Sequence, residues 1–141
     1  MISIENFVFD TVYSQLSVLH PEADISSGYE EKEASHLSVV IRETGNVPYQ
    51  ASNTDDCAEN HARVTFEVEV VSDKTGESRS KIATVLNDAD VIMQSMKFRR
   101  TFKSNAMNIG RTKFRQYARY EVIVGKPVEI NGKTVYQMYR R

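Results

Sequence analysis

Residues 63–70 read Arg63-Val64-Thr65-Phe66-Glu67-Val68-Glu69-Val70, an unbroken alternation of polar and apolar side chains. Successive side chains of a strand point to opposite faces, so Val64, Phe66, Val68 and Val70 share one face, and Arg63, Thr65, Glu67 and Glu69 the other. Such a strand has one buried face and one wet or interfacial face, and the core must come from elements laid on its apolar side.

Two helices are available to supply that layer. In residues 4–19, Val8, Val12, Leu16 and Leu19 recur at three- and four-residue spacing, with Phe9 and Tyr13 beside them. Ser3 is the expected N-cap, and Pro21 ends the run. The second helix spans about 77–96, with Ile82, Val85, Leu86, Ala89, Ile92, Met93 and Met96 forming a helical stripe after the turn Asp73-Lys74-Thr75-Gly76.

The remaining segments read as strands and loops. His36–Glu43 alternates, with Leu37, Val39 and Ile41 on one face. Thr44 to about Asn60 has no period and contains Gly45, Asn46, Pro48 and Asn53, which predicts a long functional or mobile loop over 44–60. Phe98–Lys103 and a loop at 105–110 lead into a long strand from Arg111 to Val124. There Phe114, Gln116, Ala118, Tyr120, Val122 and Val124 share one face, and Lys113, Arg115, Tyr117, Arg119 and Glu121 the other. Val128–Ile130 and Val135–Tyr139 flank Asn131-Gly132, a pair that tolerates the positive φ angles of a type I′ hairpin turn. The order is α-β-β-α-β-β-β. The expected fold is α+β, with two amphipathic helices on one face of a mostly antiparallel sheet, in a single domain over residues 1–141.

Composition agrees with a globular chain of 141 residues, 40% hydrophobic and 26% charged. The one cysteine, Cys57, excludes an intrachain disulfide. No run approaches the roughly 20 apolar residues of a membrane span, and Met1–Asn6 lacks the pattern of a secretory signal, so synthesis and assembly in the cytoplasm are expected. The net charge of −1 conceals an asymmetry. Acid gathers at Glu22, Asp24, Glu30, Glu31 and Glu33, and again at Asp55, Asp56 and Glu59. From Lys97 to Tyr120 there is no acid, and eight lysines and arginines stand in the interval. Opposed acidic and basic surfaces suit nucleic acid or head-to-tail contact between copies. The residues expected at such an interface are Arg99, Arg100, Lys113, Arg115 and Arg119, with Asp55, Asp56 and Glu59.

Candidate chemistry is sparse. Asp55-Asp56-Cys57-Ala58-Glu59-Asn60-His61 collects carboxylates, a thiol and an imidazole, but its spacing matches no usual metal signature and no second Cys/His pair completes a tetrahedron. A polar loop leading into a strand is the simpler reading. Cys57 with His20, His36 or His61 as base lacks any nucleophile signature. No glycine-rich phosphate loop is present. Neither catalysis nor a metal or other cofactor is therefore expected. The basic stretch 97–119, interleaved with Phe98, Phe102, Phe114, Tyr117 and Tyr120, offers two uses, a protein interface or a small nucleic-acid-binding module.

With the elements placed, the chain resembles the tail terminator proteins of long-tailed bacteriophages, also described as minor capsid or tail-completion proteins. The resemblance rests on the opening helix Ile4–Leu19, on Val39-Val40-Ile41-Arg42-Glu43-Thr44-Gly45-Asn46, and on Thr54–Asn60 leading to Val64–Val71. It continues through Met93-Gln94-Ser95-Met96-Lys97-Phe98-Arg99-Arg100 and Ile109-Gly110-Arg111 to Arg119-Tyr120. The resemblance implies an α+β virion protein at the head-proximal end of the tail. It would form a homohexameric ring that caps the tail tube protein, stops its polymerisation and meets a head-completion or connector protein. DNA would pass through the lumen without specific binding, with no catalytic residue and no membrane partner. Another head–tail connector or stopper protein is the alternative of the same class.

Overall fold

The computed structural model describes residues 2–27, 37–49, 61–72, 78–108 and 113–139. Among them the order is α1 (Glu5–Leu19), β1 (Asp24–Ser26), β2 (Leu37–Pro48), β3 (His61–Ser72), α2 (Ser78–Ser95), β4 (Arg99–Lys103), β5 (Met107–Asn108), β6 (Phe114–Gly125), β7 (Val128–Ile130), β8 (Lys133–Val135) and β9 (Met138–Tyr139). The α+β class and the mostly antiparallel sheet are as expected, while the element order is longer than α-β-β-α-β-β-β.

β3 is the middle of the sheet. It pairs antiparallel with β2 from Leu37↔Ser72 to Pro48↔Ala62 and with β6 from His61↔Gly125 to Ser72↔Phe114. β1 adds to β2 in parallel, and β5, β4 and β9 line the far edge of β6 in turn. The apolar face of β3 is buried as the alternation predicts, and β2 and β6 continue it with Leu37, Val39, Ile41, Ala118, Tyr120, Val122 and Val124. Phe66 meets Phe98 edge-on, with ring centroids 5.6 Å apart. Both helices cover this face, and all seven residues of the α2 stripe are buried.

Several expectations are corrected. Ser3 is not the N-cap. Ile4 takes that position with no side-chain cap bond, because the chain enters α1 from an apolar anchor in which Ile2 and Ile4 are both buried. Val8, Val12 and Leu16 are buried, whereas Tyr13 and Leu19, expected on the same stripe, are exposed at 49% and 57%. The loop expected from Thr44 starts later, because β2 runs on to Pro48. Its pairing slips between Glu43 and Gly45, and this irregularity accommodates the extra residue. A Cβ at Gly45 would lie 2.8 Å from Thr65 Oγ1, so any larger residue there would have to displace the Thr65 hydroxyl. The second hairpin strand is Lys133–Val135, and Met138–Tyr139 pair with β6 instead. Asn131 and Gly132 have φ of 53° and 77°, as a type I′ turn requires. The turn at 73–76 and most of the expected 44–60 loop lie outside the described residues.

Two contacts fix α2 on the sheet. Its C-terminus closes in a Schellman arrangement, in which Phe98 N–H donates to Met93 O (3.2 Å) and Lys97 N–H to Gln94 O (3.0 Å). Lys97 takes the left-handed conformation there, with φ of 74°. One turn earlier, Asp90 Oδ1 accepts from the buried Tyr120 hydroxyl (2.7 Å), while Asp90 Oδ2 accepts from Gln94 Nε2 (2.7 Å). Burial, and then the Asp90 carboxylate, raise the Tyr120 phenol above its usual pKa.

Two stability measurements follow from these contacts. Lys97→Gly removes the left-handed strain of a side-chain-bearing residue and raises stability by about 0.5–1 kcal/mol in urea unfolding. Tyr120→Phe loses a hydrogen bond to a carboxylate and costs about 1–3 kcal/mol near neutral pH. The folded chain keeps the Tyr120 proton where the unfolded chain has lost it. Wild-type stability from this group is therefore full below about pH 10 and falls as pH rises beyond it. Unfolding followed from neutral to alkaline pH shows a shallower alkaline loss in Tyr120→Phe than in wild type.

Candidate interaction surfaces

The face of the sheet turned away from the helices carries a lattice of arginine and glutamate. The pairing places Arg42 of β2 opposite Glu67 of β3, and Glu67 opposite Arg119 of β6, in one row across the sheet. Arg42 Nη2 donates to Glu67 Oε1 and to Glu69 Oε2, both at 2.9 Å. Arg115 Nη2 donates to Glu69 Oε2 at 3.0 Å, and Arg119 Nε lies 3.6 Å from Glu67 Oε2. The hydrogen bond to Glu67 raises the Arg42 pKa further above its ordinary value. Three guanidinium groups thus share two carboxylates, and the Glu67 side chain is only 9% exposed. Buried carboxylates are costly unless paired, and here the pairing is threefold.

Aromatic rings extend the lattice toward the β4 edge. The Arg115 guanidinium stands 5.0 Å from the centre of the Tyr117 ring, and that of Arg119 lies 5.3 Å from Tyr117 and 5.7 Å from Phe102. These are cation–π distances. Phe102 and Tyr117 are themselves 5.6 Å apart. Beside them, Thr44, Thr65, Glu67, Thr101, Arg119 and Tyr120 line a depression of about 320 Å³.

The structure distributes the expected interface residues over different settings. Arg115 and Arg119 sit in the lattice, where their charge is met by Glu67 and Glu69 of the same chain. Arg100 lies 3.3 Å from Asp90. Arg99 and Lys113 are exposed, the first on β4 and the second just before β6. Asp55, Asp56 and Glu59 lie outside the described residues, as do Cys57 and His36. His61 opens β3, with its ring 5.8 Å from that of Tyr139. His20 is buried between the helices, where Nε2 donates to Asp88 Oδ2 at 2.6 Å. Next to it Glu22 accepts from Lys81, whose ammonium holds the Glu22 carboxyl down at about 2. Among the described residues no three His, Cys, Asp or Glu side chains are grouped to hold a metal ion.

A second surface was legible only as a turn. All six residues of β7 and β8 are exposed, and among the described residues the two strands pair only with each other. Val128 stands opposite Val135, and Ile130 opposite Lys133, so one face of this hairpin carries Val128 (44% exposed), Ile130 (53%) and Val135 (40%) with Lys133. The root is held where Gly125 N–H donates to Gln137 O at 2.8 Å and the Tyr136 ring packs 5.4 Å from Phe7. An isolated two-stranded hairpin is marginal in water, and an apolar face on one calls for a partner.

No family model matches the chain, and no curated protein matches it in a sequence search.

The lattice yields a graded expectation. Glu67→Ala leaves Arg42 and Arg119 without their shared carboxylate and costs about 1–3 kcal/mol, an effect that persists in high salt. Arg119→Ala removes a side chain that is 55% exposed and costs at most about 1 kcal/mol, fading as salt is added. Chemical denaturation at two salt concentrations separates the two.

Proposed function

We propose that this chain is a tail terminator, a virion protein that assembles as a ring on the finished tail tube, stops its growth and presents the surface that joins the head. The observation that carries this reading is the bare β7–β8 hairpin, whose apolar face, with three side chains 40–53% exposed, is suited to contact between protein subunits. The elements behind the resemblance support it, since α1, β2, β3, α2 and β6 follow one another in the order that the resemblance uses. The mechanism is surface complementarity without covalent chemistry. One side of the ring matches the last ring of the tube, and the other a head-completion protein. Stacked rings of a tube expose a fresh docking surface after each addition, and a cap ends growth by binding that surface without reproducing it. The homohexamer is part of this proposal.

The lattice bears on the other readings. A nucleic-acid module needs cations free to meet phosphates, and the Arg115 and Arg119 charges are met inside the chain by Glu69 and Glu67. A solvated or partner-covered lattice serves a protein interface without that conflict.

The test is to add the purified chain to polymerising tail tube protein from the same virion and image the products by negative stain. A terminator gives tubes that stop lengthening, each closed at one end by an added ring. Tubes that grow as they do without the chain overturn the reading. Binding to a head-completion ring with no effect on tubes assigns the chain instead to a connector or stopper.

A further inference from the structure

Two pairing irregularities converge on one depression in the outer face of the sheet. Between β2 and β3 the register passes from Glu43↔Phe66 to Gly45↔Thr65, which leaves Thr44 unmatched in the ladder. Between β4 and β6 it passes from Arg100↔Tyr120 to Phe102↔Arg119, which leaves Thr101 unmatched. Both threonines line the depression of about 320 Å³, and Thr65, Glu67 and Arg119 lie on the two strands between them. A bulge frees one residue from the ladder and re-aims its side chain, and bulges gather beside functional sites.

The bonds inside the depression leave a mixed set of unused groups. Thr44 Oγ1 donates to Thr65 Oγ1 (3.0 Å), Thr65 Oγ1 to Gly45 O (3.4 Å) and Thr101 Oγ1 to Arg119 O (3.3 Å). Those hydroxyl protons are engaged, while lone pairs of Thr44 and Thr101 are left to accept. Glu67, only 7% exposed, accepts from Arg42 through Oε1. Its Oε2 accepts no hydrogen bond among the described residues, since Arg119 Nε stands 3.6 Å away, beyond hydrogen-bond reach. The Arg119 guanidinium makes ring and ion-pair contacts there but no hydrogen bond, and its side chain is 55% exposed. A carboxylate oxygen this enclosed gains from a donor brought by a ligand.

The charges select against ions. An anion drawn to Arg119 meets Glu67, and a cation drawn to Glu67 meets Arg119 and Arg42. An uncharged ligand with a donor and an acceptor side by side satisfies both. Neighbouring hydroxyls of a sugar ring are such a pair, one donating to Glu67 Oε2 and the other accepting from Arg119. A side-chain amide offers the same pair but is short. Thr44 on β2 and Thr101 on β4 are three strand spacings apart, roughly 14 Å, a span that two linked sugar rings cover. Phe102 follows Thr101 and pairs with Arg119 in register, so its ring, 46% exposed, offers an apolar surface to the C–H face of a sugar. A volume of about 320 Å³ is at the small end of ligand pockets and suits a disaccharide.

We infer that the depression between the two bulges binds an uncharged disaccharide unit, with a vicinal diol on Glu67 and Arg119, further hydroxyls on Thr44 and Thr101, and one ring beside Phe102. This does not rest on the terminator reading, and tubes that grow unchecked would leave it standing.

The experiment follows the backbone amides of the full chain by nuclear magnetic resonance while maltose, cellobiose, lactose or N,N′-diacetylchitobiose is added. At least one of them moves the amides of Thr44, Thr65, Thr101 and Arg119 with a Kd on the order of 1–10 mM, as a few exposed hydrogen bonds allow. Thr101→Val, which removes one acceptor, weakens that binding about 3- to 10-fold. Arg119→Lys, which keeps the charge and loses the fork, weakens it about 10-fold. Both substitutions are at exposed positions, and the spectra themselves report whether the fold is kept. The inference is overturned if none of the four sugars moves these amides at about ten times that Kd range, or if both variants bind as wild type does. Inorganic phosphate is the charged control. If it moves the same amides at lower concentration than any sugar, the depression is an anion site and the sugar assignment fails.

Discussion

The register of β3 is the constraint on which the rest of this molecule depends. The strand is paired along its length on both sides, and one setting of that pairing directs Phe66, Val68 and Val70 inward and Glu67 and Glu69 outward. A slip of one residue would turn two carboxylates into the core and the valines into solvent. Burying even one unpaired carboxylate costs several kcal/mol, so the alternative registers are excluded from both faces at once. The arginines of the neighbouring strands reinforce the choice, since Arg42, Glu67 and Arg119 meet only when both neighbours are in place. The core and the charged outer face therefore have one common cause.

Much of the fold was legible because periodicity is a local property. The seven-residue stripe of α2 and the alternations of β2, β3 and β6 each identify an element without knowledge of the others. Where local rules failed, tertiary pairing had overridden them. Gly45 and Pro48 look like loop residues, yet β2 absorbs the first at a pairing irregularity facing Thr65 and ends on the second. β1, β5 and β9 are two or three residues long, below the length at which alternation carries information, and exist because a longer strand offers them an edge. The left-handed Lys97 likewise carries no glycine signal. The bonds that close the helix hold it there, aided by burial of Phe98.

The candidate surface was legible by residue type and not by partner. Alternation alone puts Arg115, Tyr117 and Arg119 on the outer face. Their carboxylate partners lie far off in sequence, Glu69 being 46 residues before Arg115, and only the register of β3 with β6 brings them together. The basic stretch from Lys97 to Arg119 therefore looked more available in the sequence than it is in the fold. For the hairpin the reverse holds. Asn131-Gly132 announces the turn, but that Val128, Ile130 and Val135 stay 40–53% exposed is a fact of tertiary structure, because an apolar alternation is the ordinary mark of a strand with a covered face.

These two surfaces divide the work of assembly in the ring proposed. A lattice of three guanidinium groups and two carboxylates has little net charge left for long-range attraction, so specificity there comes from matching shape and hydrogen bonds at short range. The hairpin contributes apolar area, and its value depends on stiffness. The type I′ turn fixes the tip, while the Gly125–Gln137 bond and the Phe7–Tyr136 contact fix the root, so less conformational freedom is lost when a neighbour docks. Stiffness also sets geometry. A heterologous contact closes into a ring only when the same rotation relates every pair of neighbours, and otherwise it runs on as an open helix. A hairpin held at both ends repeats one rotation from copy to copy, whereas a loose one would permit a spread of angles and rings of mixed size. In the ring proposed, it is the anchoring of the root that lets a short, exposed hairpin specify a closed assembly.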